Sequence, residues 1–163
     1  RRQRQMCIRD SLYRAPKLEM KALNIGAVTQ KYAQTLHLDE DKALEMAKLT
    51  KGYPFAFQVL GYLTWNNDGD YTGVIPEYRQ YLEEYVYEKI WSELSSRDRE
   101  IAYAIAKCNS GKIKDIRQFL DIESNQFNPY RKRLIKKGII DGSEYGIVKF
   151  TLPFFERFVV ENY

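Results

Sequence analysis

The sequence predicts a mainly α-helical protein: a helical bundle followed by a winged helix-turn-helix module with a small two-stranded wing. Three observations predict it. Apolar residues recur at helical spacing through most of the chain. Gly, Pro and Asn/Asp clusters cut those stretches into segments of helix length. From about Ser92 onward, three helical segments lead into a short alternating stretch and then a last helix, which is the winged-helix order. Composition agrees with a folded chain. Hydrophobic residues make up 44% of the 163 positions and charged residues 29%, ordinary values for a soluble globular protein. This length suits one compact domain or two small ones.

The elements run in order along the chain. Leu12 to Gly26 is extended or loop-like, broken by Pro16, with alternation at Leu18, Met20 and Ala22 that suits one strand. Ala27 to Leu36 is a short helix with Val28, Tyr32 and Leu36 on one face. Asp39 is a good N-cap for a second helix, with acidic residues in its first turn. Gly52 ends that helix, and Tyr53-Pro54 restarts the chain. Phe55 to Trp65 is apolar nearly all round, so it is expected at the centre of the bundle. Asn66 to Gly73 is a polar loop, and Pro76 to Leu94 is one long helix.

The winged-helix segment begins with Ser95 or Ser96 as N-cap of a helix reaching Lys107, with Ile101, Ala104 and Ile105 inside. A turn at Ser110-Gly111 precedes a second helix, Lys112 to Leu120, carrying Ile113, Ile116, Phe119 and Leu120. Ser124 caps a third helix to Lys137, with Phe127, Tyr130, Leu134 and Ile135 inward; Pro129 is expected in its first turn, where a missing N–H is tolerated. Gly138 stops it. Ile139-Ile140 and Tyr145 to Leu152 form the hairpin around Asp141-Gly142, and Phe154 to Tyr163 closes the chain. The implied organisation is a helical bundle at 12–75, a connecting helix at 76–91 and a winged helix at 92–163.

Residues 1–11 stand apart. They hold four arginines and little periodicity, as a basic arm would. Gln5 to Ser11 also back-translates to a nucleotide string resembling a transposase-type sequencing adapter. On that reading the sequence is an assembled environmental fragment whose true start is missing. Setting aside Arg1, Arg2, Arg4, Arg9 and Asp10 takes the net charge from +4 to +1, so overall basicity carries no argument for nucleic acid.

Much chemistry is excluded by composition. Two cysteines, Cys7 and Cys108, and a single histidine, His37, cannot assemble a zinc site of the usual kind. Two distant cysteines fit a reducing, cytoplasmic setting. No apolar run is long enough for a membrane span, so no membrane partner is expected. His37 reads as a surface residue. Cys108 stands near a helix end without an identified basic partner, a poor setting for a reactive thiol.

Two constellations remain. The third helix of the winged module carries Asn125, Gln126, Asn128, Tyr130, Arg131, Lys132, Arg133, Lys136 and Lys137, and Lys149 lies on the wing. Between Glu123 and Ile140 five bases stand against one acid. A recognition helix offers short polar side chains to base edges and cations to phosphates. The same face also suits a solvated helix on a protein-docking module. Asp141 and Glu144 make the wing acidic. Between Glu77 and Glu100, seven acids stand against four bases, a stretch that repels a phosphate backbone.

The second constellation is Gly52-Tyr53-Pro54-Phe55-Ala56. From physics alone it is a helix stop and restart whose free N–H groups can face an anion. It also resembles the Gly-x-Pro motif in the helical lid of P-loop ATPases of the AAA+/STAND type, in which a lid follows the nucleotide-binding core and a winged helix follows the lid. The order here is the same. The resemblance implies that Gly52, Tyr53 and Pro54 lie beside the adenine or ribose of a nucleotide. No G-x-x-x-x-G-K-[ST] loop is present, so no catalytic residue is assigned and this chain alone is not expected to hydrolyse ATP. ATP and Mg²⁺ would belong to the full-length, prokaryotic parent and its ATPase core. The expected function is a C-terminal regulatory portion whose lid closes on ATP and whose winged helix docks on double-stranded DNA or a signalling partner. The rivals are a free-standing winged-helix transcriptional regulator and a pure protein-interaction module.

Overall fold

A computed structural model describes residues 21–163. The expectations that fall on residues 1–20, the adapter-like start and the strand through Leu18 and Met20, lie outside the described residues. The described residues are mainly helical with one two-stranded antiparallel sheet, as the sequence predicts.

Helix α1 runs Ile25–Leu36, two residues longer at its start than its periodicity suggests. Asn24 is the cause. Its side chain accepts the Ala27 N–H at 3.1 Å and so caps the helix earlier. His37 ends α1 in the left-handed region and is exposed. Helix α2, Glu40–Leu49, starts at Asp39, whose carboxylate accepts the Lys42 N–H. α1 and α2 pack together over Val28, Tyr32, Ala43, Met46 and Ala47.

Helix α3, Pro54–Asn66, crosses α1 and the next helix. It buries Ala56, Leu60, Leu63 and Thr64. The expectation that α3 is central and buried all round is not met. Tyr62 and Trp65 are 62% and 61% exposed. Phe57 packs on Tyr32 of α1 and Phe55 on Tyr85, while Tyr62 and Trp65 lie on the part of α3 that these contacts leave open.

The predicted long helix is three pieces. Helix α4 spans Ile75–Leu82, a π-helical turn spans Glu83–Tyr87, and α5 spans Glu88–Ser92. A π-turn admits one extra residue and re-aims the helix beyond it. Here it buries Tyr87, whose ring meets Phe155 edge-on at 5.0 Å and whose hydroxyl donates to the Pro153 carbonyl. Trp91 packs edge-on to Phe158 at 6.1 Å, and Tyr78 to Phe154 at 6.0 Å. Aromatic rings thus join the bundle to the last helix.

The winged-helix segment holds α6 (Ser96–Lys107), α7 (Ile113–Leu120), α8 (Ser124–Lys136), β1 (Ile140–Asp141), β2 (Lys149–Phe150) and α9 (Phe155–Asn162). Ser95 caps α6. β1 pairs antiparallel with β2, Ile140 opposite Phe150. The expected strand from Tyr145 to Leu152 is only two residues long. Gly146, at φ 75°, bends its first half away. That half instead bonds Gly111–Ile113: Ile113 N–H donates to Gly146 O and Val148 N–H to Gly111 O.

Two further details differ. Glu123, not Ser124, precedes the first helical residue of α8, and its N–H donates to Gln126 Oε1 at 3.0 Å. Starting at Ser124, the helix carries Pro129 in its interior rather than its first turn. Phe119 is 54% exposed beside Tyr103 instead of buried. α9 lies against α6, closing the core over Ile101, Ala104, Ile105, Phe155 and Phe158.

Candidate functional site

The turn between α2 and α3 is fixed from within. Thr50 is fully buried, its hydroxyl donates to Ala47 O, and its Oγ1 accepts the Gly52 N–H. Lys51 and Gly52 both take positive φ, 49° and 72°. Gly52 O accepts the Leu23 N–H at 2.8 Å. A Cβ on Gly52 would meet Leu23 O at 2.4 Å, so no larger residue fits without moving backbone. Pro54 then opens α3 with its φ preset.

This turn faces the winged-helix segment across a cavity of about 1060 Å³. Tyr53 and Pro54 line one wall with Ala22 and Ile90. Gly52 itself is buried behind them. The opposite wall is Cys108 to Gly111, Gly138 and Val148 to Leu152. Three lysines line the space, Lys51, Lys137 and Lys149, against the carboxylates Asp141 and Glu156.

The lysines hold modest partners. Lys51 Nζ donates to Glu156 Oε1 at 2.9 Å and to Phe150 O at 3.2 Å. Lys137 Nζ donates to Glu93 O at 3.2 Å. Lys149 pairs with Glu144 at 2.7 Å, and that hydrogen bond holds its ammonium above the ordinary lysine range. Two hydrogen bonds from Ser143 keep the Asp141 carboxyl below its usual value. Burial, aided by the Asp115 carboxylate, pushes the Cys108 thiol up and away from reactivity.

The second candidate surface divides. Asn125, Asn128, Lys132 and Lys136 are exposed along the outer side of α8. Their spacings of three and four residues place them on one stripe. The remaining predicted residues turn to the protein itself. Arg131 Nη2 donates to Gly142 O at 2.9 Å. Arg133 Nη1 reaches the buried Asp98 at 3.1 Å and lies over the Tyr130 ring, with Arg97 also near that ring. Gln126 is engaged at the helix start. Lys137 and Lys149 belong to the cavity rather than to the stripe.

The sequence reading missed Lys51 and Glu156. Lys51 stands directly before Gly52, and that adjacency was its one local signal. Its partners lie 99 and 105 residues away, a distance no spacing rule spans.

A family model described as a domain of unknown function (DUF8462) matches residues 84–159. No curated protein matches the chain by sequence. Among solved structures, the chain is similar to a Walker-type ATPase of Pyrococcus abyssi at 20% identity and a TM-score of 0.63. The match covers 82% of this chain and 39% of that one, so the chain spans about two-fifths of that protein's length. At this identity the likeness is one of fold alone.

Proposed function

We propose that this chain is the lid and winged-helix portion of an AAA+/STAND-type P-loop ATPase, the lid closing on ATP held by a preceding core. The observation that carries the reading is the place of the Gly52-Tyr53-Pro54 turn. In a fold similar to a Walker-type ATPase, it opens onto a cavity walled by the winged helix. The donor set fits the ligand. Tyr53, Pro54 and Ile90 offer an apolar wall for a flat ring, and the lysines offer cations to phosphates. Bound ATP would place its phosphate charge between lid and winged helix, within reach of the lysines that line the cavity. Tyr53 and Pro54 orient the base, and Lys137 and Lys149 neutralise charge from the far wall. Among the described residues no group of three or more His, Cys, Asp or Glu is placed to hold a metal ion. In this reading Mg²⁺ is a ligand of the core.

The test begins with the gene. A longer clone is expected to encode a G-x-x-x-x-G-K-[ST] loop upstream of Leu12, and a natural start codon just before Leu12 overturns the reading. In the longer protein, Pro54→Ala is expected to weaken ATP binding by about tenfold, roughly 1.4 kcal/mol.

A second reading, a DNA-docking winged helix, is favoured by the stripe Asn125, Asn128, Lys132 and Lys136. Binding to duplex DNA should then fall steeply with salt, and Lys132→Ala should lower the salt slope by about one. Affinity that is unmeasurable even at low salt makes α8 a protein dock.

A further inference from the structure

We infer that Lys51 is a phosphate-responsive tether between the lid turn and the winged helix. This rests on the proposed nucleotide site and adds its regulation. The turn that carries Lys51 is rigid: Thr50 is buried and bonded within it, and the backbone of Leu23 lies across Gly52. The left-handed backbone of Lys51 sends its side chain outward from that rigid base. The ammonium reaches two elements of the winged-helix segment at once. Phe150 O belongs to β2, and Glu156 stands in the first turn of α9. One side chain therefore joins the Gly-x-Pro turn to both the wing and the closing helix.

The tether is built to be exchanged. Its side chains remain 37% and 44% exposed. One acceptor is a neutral carbonyl and the other a single carboxylate. An exposed pair of this kind is weak. A polyphosphate gathers several negative oxygens and is the stronger partner for an ammonium. Lys51 lines the cavity that Tyr53 and Pro54 line, so phosphates of a ligand seated there fall within its swing. A polyanion in the cavity draws Lys51 off Glu156 and Phe150, and Lys137 and Lys149 meet the same anion from the other wall. Loss of the tether frees β2 and α9 from the lid turn. Occupancy of the cavity is thereby converted into freedom of the winged helix.

The experiment uses the full chain and inorganic tripolyphosphate. Amide hydrogen exchange is followed at Lys149–Phe150 and in α9. Lys51→Met is expected to raise exchange there by about threefold, the size suited to one exposed ion pair, and Lys51→Arg is expected to restore protection. Tripolyphosphate is expected to reproduce the rise in the native chain and to add nothing in K51M. Glu156→Gln, which leaves the ammonium in place, should give a smaller rise and keep the response to tripolyphosphate. Unchanged exchange in K51M overturns the tether. An equal tripolyphosphate effect in K51M, or none in the native chain, overturns the phosphate response. The ATPase reading stands or falls separately, on the upstream P-loop.

Discussion

Asp98 is 2% exposed and takes hydrogen bonds from Ser95 Oγ at 2.7 Å and from Arg133. That carboxylate fixes the start of α6 and ties it to α8, so one residue sets how the outer stripe of α8 is presented. Arg133→Ala leaves the carboxylate buried with one partner fewer. It should cost about 1–3 kcal/mol, read as a lower urea midpoint with an unchanged slope. Tyr32, Tyr78 and Tyr87 carry another signature. Burial raises all three phenols well above their ordinary value. Each favours the neutral phenol in the folded state. The stability they contribute is complete below the unfolded value, about pH 10, and is lost as pH rises toward the folded ones. In an alkaline titration followed by tyrosinate absorbance, these three rings should ionise only together with loss of helical circular dichroism. Smooth titration of all 13 tyrosines with the fold intact would sink that prediction.

At the scale of elements, turns decide more than propensities do. Gly52→Ala forces a Cβ against the Leu23 carbonyl at a positive φ. It is expected to destabilise by about 1–3 kcal/mol, with a lower midpoint in thermal melts. Pro129 acts in the opposite sense. Inside α8 it removes the N–H that would bond Asn125 O, a loss of up to about 3 kcal/mol in a helix interior. Pro129→Ala should therefore raise the melting temperature, and a fall would show that Asn125 O has another partner. Element by element, local signals were legible. Asp39, Ser95 or Ser96, and Gly138 marked helix ends in the sequence, and Asp39, Ser95 and Gly138 do so in the fold, whereas α2 ends at Leu49 with Thr50 as its cap, before Gly52. Non-local pairing was not. The strand expected at Tyr145 to Leu152 gave half its length to Gly111–Ile113. The π-turn at Glu83–Tyr87 left no mark in a periodicity that differs from α by one residue. Pro54 and Tyr53 line the cavity, and its far wall had no sequence signature.

Across the whole molecule, bundle and winged helix share aromatic packing. Tyr87 and Trp91 sit upstream of Ser92, where the winged helix was expected to begin, yet they pack on Phe155 and Phe158 of its last helix. The family match opening at residue 84 includes both of them. A segment 84–163 should thus be more resistant to proteolysis than a segment 92–163, which exposes the Phe155 and Phe158 faces. Equal lifetimes in limited trypsin digestion would count against a shared core.

Trp91 gives that junction an optical voice. The chain has two tryptophans. Trp65 stands 61% exposed on α3, while Trp91 lies against Phe158 with Arg99 over its ring at 5.4 Å. Replacing Trp65 by Phe silences the solvent-facing emitter and leaves one indole at the seam. Its emission colour and iodide quenching then report, without any attached label, whether α9 is seated on the bundle.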